Sequence, residues 1–360
     1  MTAADSVPIR LIHVGVGVRG RHWLEIVAGH PDFVSAACVD VDDKALQEAR
    51  RSPGQAHGKF FTSLASAVAE VKADAALIAS PTPFHARQTL EALDAGLGVM
   101  VEKPLADDLD KAIDLIAHSR AAGRPVMVAE NYRFFAAERT VRRMLDDEVA
   151  GRIASAVCID RRDQPSHTQG PWVKTAEHPF LAEIAVHHFD SFRYLFKRQP
   201  VSLYATSFNP PGSTYDHNAA VQALIELDGG LPIQYGGTMV ANRYEYSLWV
   251  DGEKGDIWTD RKRVWWRPRG RRFFLPSRLV PVPKGDELPY PKAGTVSLLN
   301  QFRDAMLHGT GPETSAQDNV WTLAMVEAAI AAQRERRAVR IEEVFTPERK
   351  RRAGVLAEHE

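Results

Sequence analysis

The stretch EIAVHHFD, residues 183–190, places four ionisable side chains within eight positions. An imidazole can accept a proton near neutral pH, and a nearby carboxylate can orient it or bind a hydroxyl group. Histidine and carboxylate together can also bind a metal ion. The surrounding sequence, PFLAEIAVHHFDSFRYLF, has the apolar pattern of a partly buried helix, in which polar residues can serve packing alone. Three interpretations are therefore open: a metal site, a catalytic base with a helper, or a packed helix.

Helical spacing separates the two histidines. Glu183 and His187 are four residues apart and Asp190 follows three later, so an α-helix places these three on one face. His188 is rotated by roughly 100° from His187 and cannot share that face. Helical zinc ligands are usually spaced i, i+4 with further ligands from elsewhere, and neither cysteine has a suitable context. We predict no metal site here, and packing roles for His188 and Asp190.

A glycine-rich loop near the start of the chain has the spacing of a dinucleotide-binding turn. GVGVRG, residues 15–20, matches G-x-G-x-x-G between an apolar run and a helical segment. The first glycine permits the tight turn, the second lets the backbone approach a pyrophosphate, and the third allows close packing of helix and strand. The predicted cofactor-binding residues of this loop are Gly15, Gly17, Val18, Arg19 and Gly20.

Asp40 ends the second apolar run, about twenty residues beyond the loop, where an acidic residue binds the ribose hydroxyls. A carboxylate accepts hydrogen bonds from the ribose diol and repels a 2′-phosphate. The neighbours Val41 and Asp42 provide no cation to hold such a phosphate. NAD is therefore predicted as the cofactor in preference to NADP.

The elements around this loop alternate in type as far as residue 129. Continuous apolar runs alternate with segments of helical periodicity, two of which end on Gly96 and Gly123, as helix C-termini often do. This pattern predicts an α/β Rossmann domain over 1–129 with a parallel, doubly wound sheet. The predicted strands lie at 10–14, 34–40, 59–61, 75–79, 98–102 and 125–129.

The pattern of helical and strand-like segments changes after residue 130. Two helical segments and a strand-like run are followed by several strand-like runs with glycine-rich turns, and two helices close the chain. This predicts an α+β domain over 130–345 with an open, mainly antiparallel sheet, followed by a solvated tail at 346–360.

The bulk properties exclude several classes of protein. The chain has 360 residues, a formal net charge of -1 and 44% apolar residues, as expected of two globular domains without a field that attracts nucleic acid or anionic membrane. It has no secretory signal pattern and no apolar run near the roughly 18 residues of a membrane span. The two cysteines lie in apolar runs, typical of core residues in a reducing compartment. We expect a cytoplasmic protein.

Three further stretches give the chain a family resemblance. SPTPFH (80–85), VEKPLA (101–106) and ENYRF (130–134) each follow or end a predicted strand. Together with GVGVRG and EIAVHHFD they resemble the glucose-fructose oxidoreductase/inositol dehydrogenase (Gfo/Idh/MocA) family. The resemblance implies a Rossmann domain followed by a domain with an open, mainly antiparallel sheet. It also implies NAD(P)-dependent oxidation or reduction of a carbinol in a sugar, inositol or related polyol.

The resemblance assigns roles to several residues. It implies that Lys103 lies between the nicotinamide and the substrate, in a Glu102–Lys103–Pro104 turn that often contains a cis proline. The remaining residues fall into two groups: Ser80, Pro81, Thr82, His85 and Glu102 would line the cofactor, and Asn131, Tyr132 and Arg133 would lie near the active-site cleft.

The family pattern D-x-G-x-H-x-x-D covers the opening stretch. His187 matches its histidine and Asp190 its last acid, whereas Glu183 stands in place of aspartate and Ala185 in place of glycine. The chemistry that follows has His187 accept a hydroxyl proton as hydride leaves the carbinol carbon. Glu183 orients the imidazole or binds a neighbouring hydroxyl, and Lys103 polarises the reacting oxygen. Whether Lys103 or His187 finally holds the proton stays open.

Two other functions fit the same motifs. An NAD-dependent glycosidase would use transient oxidation to permit elimination and then re-reduce the product. A non-catalytic dinucleotide sensor would bind NAD without turnover, although Lys103, Glu183 and His187 together speak against it. Net NADH production during turnover distinguishes the dehydrogenase from both.

Two polar segments lie outside these motifs. The loop DQPSHTQGPWVKTAEHP (163–179) contains Trp172, Lys174 and His178, which could contact a sugar, or it could be a variable surface loop. DRKRVWWRPRGRRFF (260–274) is basic and aromatic, but in a nearly neutral chain it favours a sheet hairpin with arginines on the rim of a subunit interface over a nucleic-acid surface. We therefore expect a homodimer or homotetramer formed through the C-terminal sheet. Recognition of an acidic sugar by one of these arginines is a third possibility.

Overall fold

The computed structural model describes residues 7–52, 59–269, 277–283 and 288–356. The chain divides into two compact units. The first contains Met1–Glu130, Leu288–Val320 and Glu348–Glu360, and the second contains Asn131–Glu287 and Trp321–Pro347.

A parallel sheet forms the centre of the first unit. Its described strands are ordered β3-β2-β1-β4-β5-β6, and every neighbouring pair is parallel. The central strands are buried, which explains why they appear in the sequence as continuous apolar runs. The strands are β1 Ile9–Val14, β2 Phe33–Val39, β3 Lys59–Phe61, β4 Ala75–Ile78, β5 Gly98–Val101 and β6 Val126–Val128. The predicted Rossmann fold is confirmed.

Helices connect these strands. The fifth helix shows how the local sequence sets their ends: the Asp108 carboxylate accepts the Lys111 N–H at its start, and Gly123 closes it in the left-handed conformation with φ of 61°. The helices of this unit before residue 130 are α1 Val18–Ala28, α2 Asp43–Ala49, α3 Leu64–Glu70, α4 His85–Asp94 and α5 Leu109–Ala122, with a 3₁₀ turn at Thr82–Phe84.

A larger mixed sheet forms the second unit. The strand order is β14-β13-β12-β11-β7-β10-β9-β8-β15, and β7–β10 is the parallel pair among these described strands. The predicted open, mainly antiparallel sheet is confirmed. The strands are β7 Ile153–Asp163, β8 Pro200–Phe208, β9 Ala220–Leu227, β10 Leu231–Thr238, β11 Val240–Gly252, β12 Gly255–Thr259, β13 Val264–Pro268, β14 Arg278–Val280 and β15 Val339–Arg340.

The helices after residue 130 complete both units. The predicted helix around EIAVHHFD begins as a π-helical turn, Leu181–Ala185, before α8 Val186–Phe196. The others are α6 Ala136–Asp146, α7 Pro171–Thr175, α9 Thr295–His308, α10 Ala316–Glu335, α11 Ile341–Val344 and α12 Pro347–Arg352. Shorter 3₁₀ turns lie at Asn131–Phe134, Ser166–Thr168 and Asp228–Gly230.

The unit boundaries differ from the continuous ranges 1–129 and 130–345 predicted from sequence. The chain returns to the first unit near residue 288, where Phe302 of α9 stacks on Phe33 at a centroid separation of 6.4 Å. Part of the tail expected to be solvated also packs there, since Ala353 is buried and Arg349 of α12 pairs with Asp110. The amphipathic pattern of a helix shows that it has a core to cover, but not which core.

Both cysteines are buried and neither forms a disulfide, as predicted. Cys38 lies in β2 and Cys158 in β7, and burial raises the pKa of both thiols. Across the described residues, no helix combines the length and apolar character required to traverse a membrane.

Candidate functional site

The glycine loop forms the turn from β1 to α1. Gly15 has φ of +83°, and a Cβ there would lie 2.5 Å from the Ser80 nitrogen. A Cβ on Gly20 would lie 2.0 Å from the Gly15 carbonyl oxygen. By contrast, no atom of the described residues lies within 4 Å of a Cβ built on Gly17. The first and third glycines thus permit the turn and its packing, and the second leaves space beside the backbone, as a pyrophosphate requires.

Asp40 lies at the end of β2, beside this loop. Its Oδ2 accepts the Val16 N–H at 2.8 Å and its Oδ1 accepts the Asp42 N–H at 3.0 Å. These bonds hold a half-buried carboxylate in place while leaving lone pairs for further donors. The arrangement fits the ribose diol of NAD and would repel a 2′-phosphate.

Asp40→Ala should therefore weaken NAD binding while sparing NADP. Hydrogen bonds to a charged group contribute about 1.5–3 kcal/mol, so we expect the Kd for NAD to rise roughly 10- to 100-fold. The Kd for NADP should stay or fall, because the repulsion is removed. Titration calorimetry with both nucleotides measures this, with the exposed Asp43→Ala as matched control. An unchanged Kd for NAD would remove Asp40 from the site.

His85 joins the two segments that follow β4 and β5. Its ring nitrogens lie 2.8 Å from the carbonyl oxygens of Ser80 and Pro104. Burial lowers the pKa of His85, while the two carbonyl oxygens act in the opposite direction. Lys103–Pro104 is a cis peptide, as the family resemblance implied. The predicted cofactor residues Ser80, His85 and Lys103 are thus brought together, and Pro81 and Thr82 lie in the segment between Ser80 and His85.

Glu102 and Arg19, both predicted to contact the cofactor, are paired with each other. The buried Glu102 carboxylate accepts from the Arg19 Nε and from the Trp23 indole N–H at 2.7 Å. Burial alone would raise the pKa of Glu102, but the Arg19 charge and the Trp23 hydrogen bond hold it below its usual range. This pair ties the start of α1, which follows the glycine loop, to the residue that follows β5. Val18, in contrast, is exposed at the start of α1.

In the second unit, His187 stacks on Tyr132. The two ring centroids are 3.9 Å apart and the planes differ by 8°. His187 is 7% exposed and Tyr132 3%. The predicted proton acceptor therefore has its ring plane held by an aromatic neighbour that the resemblance had placed near the substrate.

Glu183 lies in the π-helical turn that precedes His187. Its side chain is half-buried, and its charge contributes, after burial, to raising the pKa of Tyr215 to about 12. The Val186 N–H bonds to the Leu181 carbonyl, which adds one residue to the turn. The α-helical spacing used to align Glu183 with His187 therefore does not apply here. π-turns of this kind are frequent at functional sites.

His188 belongs to a separate buried network. Its Nε2 lies 3.0 Å from Asp160 and its Nδ1 lies 2.8 Å from the Tyr235 hydroxyl. Arg162 donates two hydrogen bonds to Asp160, each 2.8 Å long, and a third to the Tyr132 hydroxyl at 3.0 Å. Burial lowers the pKa of His188 to about 3, so the imidazole is neutral. Burial would raise the pKa of Asp160, but His188 and Arg162 together hold it well below its usual range.

Arg133, predicted to contact substrate, forms an ion pair with Asp190. Its Nε and Nη2 donate to the two carboxylate oxygens at 2.5 and 2.6 Å, with both side chains buried. Thr322 of α10 also donates to Asp190, at 3.2 Å. This geometry places Asp190 in helix packing, and it turns the Arg133 guanidinium toward Asp190.

The other predicted substrate residues lie in three different segments of the second unit. Asn131 is 5% exposed in the 3₁₀ turn beside Tyr132, and Trp172 is half-buried in α7. The His178 Nδ1 lies 3.4 Å from the Ser207 hydroxyl, and burial lowers its pKa. Within the described ranges, no group of three or more histidine, cysteine or acidic side chains is arranged to hold a metal ion.

Sequence reasoning missed the buried charges of Asp160, Arg162 and Arg261. In β7 alternate residues are buried, and Asp160 and Arg162 occupy two of these inward positions. Charged residues at the buried positions of an alternating strand are the signal that could have identified them. Arg261, assigned to the basic hairpin, is buried with a side chain 7% exposed, whereas Arg263 and Arg267 are exposed as predicted. Phe273 and Phe274 lie outside the described residues.

The fold and the glycine loop define a dinucleotide-binding α/β protein with a second α+β unit. Residues 9–130 match the profile of the oxidoreductase family with an NAD-binding Rossmann fold, and residues 139–258 match the GFO/IDH/MocA C-terminal domain. The chain therefore belongs to the Gfo/Idh/MocA oxidoreductases and is an NAD-binding member, as its motifs predicted.

Similar proteins include enzymes of sugars and inositols. The chain is 26% identical over 93% of its length to an uncharacterised Sinorhizobium fredii protein, covering 96% of it. It is 26% identical over 79% of its length to 1,5-anhydro-D-fructose reductase of Ensifer adhaerens, covering 85%. It is 24% identical over 92% of its length to inositol 2-dehydrogenase of Rhizobium meliloti, covering 99%. An Agrobacterium radiobacter oxidoreductase, solved with NAD⁺, L-tartaric acid and magnesium, shares the fold: its TM-score is 0.85 at 18% identity, over 94% of this chain and 99% of that one.

Proposed function

We propose that this protein is an NAD-dependent oxidoreductase that transfers hydride between a carbinol of a sugar, inositol or related polyol and nicotinamide. The observation that carries the proposal is His187, an imidazole held by stacking on Tyr132 in a member of an NAD-binding oxidoreductase family. Alcohol oxidation requires a group that takes the hydroxyl proton, and a neutral imidazole can do so near pH 7. The sugar and inositol enzymes among the relatives support the substrate class.

The proposed roles divide between the two units. Bound NAD supplies the hydride acceptor. His187 takes the hydroxyl proton, and Glu183 orients the imidazole or binds a neighbouring hydroxyl. Lys103 stands at the carboxyl edge of the parallel sheet, where ligands of open α/β folds bind, and its ammonium favours the developing alkoxide. With Lys103 as an ammonium, the proton stays on His187; in the alternative, a neutral Lys103 amine finally holds it. Trp172, His178 and Asn131 are proposed to contact the substrate.

A direct assay tests the proposal. Purified protein is mixed with NAD and a panel of sugars, inositols and sugar acids, and the NADH absorbance is followed. We expect net NADH formation with at least one carbinol. Glycoside cleavage without net NADH would support the glycosidase alternative. Binding of NAD in calorimetry without turnover of any panel member would favour a sensor and contradict the proposal.

We further propose that the chain forms a homodimer or homotetramer through one face of the large sheet. A row of mostly apolar side chains crosses that face in register from β8 to β14, and we name it the apolar row. Large apolar side chains that remain exposed on a sheet face are typical of protein interfaces. The members of the row are Tyr204, Leu224, Gln234, Val157, Trp249, Trp258, Trp265 and Leu279, of which Leu224 is 61% and Trp249 39% exposed.

Leu224→Lys should dissociate this assembly. A charge buried in an apolar interface without a partner is strongly unfavourable, so we expect the variant to be monomeric at micromolar concentration. Light scattering after gel filtration measures the mass. Leu307→Lys, at an exposed leucine of α9, is the matched control and should keep the mass of the unmodified protein. A monomeric unmodified protein, or an unaltered Leu224→Lys mass, would contradict the proposal.

A further inference from the structure

A column of stacked side chains links His187 to a buried cation. We name it the ring column: His187, Tyr132, Arg261, Tyr246 and His188, in that order. The Arg261 guanidinium carbon lies 4.3 Å from the Tyr132 ring centroid and 3.6 Å from that of Tyr246. Tyr246 stacks in turn on His188 at 5.7 Å with 20° between the planes.

His187 and Arg261 occupy opposite faces of the Tyr132 ring. A nearly parallel imidazole whose centroid is 3.9 Å away fills one face. The guanidinium, at 4.3 Å over the same ring, must therefore lie on the other face, because the two groups would otherwise overlap. The Tyr132 ring therefore lies between His187, the proposed proton acceptor, and the positive charge of Arg261.

Arg261 is held in place at a conformational cost. It lies in the turn between β12 and β13 with φ of 69°, a left-handed conformation that residues other than glycine seldom adopt. Such backbone conformations persist where several contacts of the surrounding structure hold them, often at functional sites. The Arg261 N–H donates to the Thr259 hydroxyl, which in turn donates to the Arg263 carbonyl. The turn therefore directs the guanidinium between the two rings.

The charges facing Arg261 only partly offset it. The Glu138 carboxylate of α6 lies 3.6 Å from its Nε and the Asp160 carboxylate of β7 lies 3.8 Å from its Nη1. Asp160 is shared with Arg162, which donates two hydrogen bonds to it. Burial raises the pKa of Glu138, whereas the Arg261 charge lowers it and favours the carboxylate. Other titratable or charged groups around the cation are His188, Cys158, Tyr235, Tyr244 and the Arg162 guanidinium. Among the described residues, the Arg261 Nε and Nη2 have no hydrogen-bond partner.

We propose that Tyr132 and Arg261 are positioning residues for His187. Tyr132 holds the imidazole plane, and the Arg261 charge behind the ring opposes protonation of the imidazole, which keeps His187 ready to accept a proton. The proposal rests on the function proposed above for His187. It also gives Arg261, whose side chain is buried although it belongs to the basic hairpin, a role in the chemistry rather than on a binding surface.

Charge variants with opposite effects test the electrostatic part. In Arg261→Met the cation is lost, so protonation of His187 becomes easier and the acid limb of the kcat/KM profile should move up by about one pH unit. In Glu138→Gln a negative charge that offsets Arg261 is lost, so the acid limb of the kcat/KM profile should move to lower pH. Arg261→Lys keeps the charge and should stay near the unmodified profile. Arg263→Met, two positions away and exposed, is the matched control. A purely structural role would not produce shifts of opposite sign.

Ring variants test the stacking part. Tyr132→Phe keeps the aromatic face but loses the hydroxyl bonded to Arg162, whereas Tyr132→Leu loses the face itself. We expect Tyr132→Leu to lower kcat about tenfold more than Tyr132→Phe, with a smaller change in KM. Equal kcat values in the two variants would overturn the role of the ring.

A measurement without turnover separates this inference from the proposed function. Nitrogen-15 NMR follows the protonation of His187 directly, with its resonance assigned by its absence in His187→Phe. If the titration midpoint of His187 moves in opposite directions in Arg261→Met and Glu138→Gln, the inference is supported. Absence of carbinol oxidation in the same protein would refute only the proposed function. If the enzyme oxidises a carbinol but the titration midpoint of His187 is unchanged in both variants, the inference is overturned and the proposed function stands.

Discussion

We expect His187→Ala to lower kcat by about 100- to 10,000-fold, the usual contribution of a positioned general base. Without the imidazole, the hydroxyl proton has to pass to water while hydride leaves the carbinol carbon. The Kd for NAD should change less than about twofold, since the glycine loop and Asp40 belong to the other unit. Steady-state kinetics with the carbinol identified by the NADH assay, together with calorimetric titration of NAD, measures both quantities.

A second variant separates chemistry from packing at the same position. His187→Phe keeps a flat ring to stack on Tyr132, so its melting temperature should lie nearer that of the unmodified protein than His187→Ala does. The kcat of His187→Phe should nevertheless be as low as that of His187→Ala. Added imidazole should restore part of the turnover in His187→Ala, which leaves space for it, and none in His187→Phe. Turnover by His187→Phe within a few-fold of the unmodified enzyme would remove His187 from the mechanism.

Lys103→Met should lower kcat by about 100- to 1,000-fold, the range observed when one donor to a developing oxyanion is removed. Methionine keeps an unbranched side chain of similar length but has no charge to stabilise the alkoxide. Lys103→Arg should recover only a small part of the activity, because a planar guanidinium does not present the same point charge. Turnover and NAD affinity are measured as for His187.

The control for Lys103 is the same substitution at an unrelated lysine. Lys111 lies on α5 and pairs with Asp107 at the surface, so Lys111→Met should leave kcat unchanged. If Lys103→Met and Lys111→Met have equal kcat values, Lys103 has no catalytic role. If Lys103→Met also keeps its cellular function although it has no turnover, the non-catalytic sensor becomes the better account.

Much of the first unit could be predicted because its signals are local. A buried parallel strand is a short apolar run, and a helix that follows ends where a glycine such as Gly123 takes the left-handed conformation. The glycine loop is equally local, since Gly15 and Gly20 serve contacts within one turn and with the neighbouring strand end. Residues 288–320 could not be assigned to this unit, because helix amphipathicity does not identify the partner core.

In the second unit the sequence located the right helix but not its geometry. The separation of His187 from His188 followed from α-helical rotation, and the structure gives the two side chains different neighbours. The alignment of Glu183 with His187 assumed 3.6 residues per turn, which the π-turn at Leu181–Ala185 changes. Periodicity cannot reveal one additional residue in a turn when the flanking apolar positions still reach the core.

Residue type and spacing along the chain by themselves determined the two fold classes, the dinucleotide loop with Asp40, and His187 as the candidate base, since each depends on neighbours within a few dozen residues. Only the tertiary structure decided where the charged side chains are directed. Arg133 points to Asp190, Arg19 to Glu102, and Arg261 lies between Tyr132 and a ring from β11. Buried charges need partners, and these come from distant segments that only the folded chain brings together.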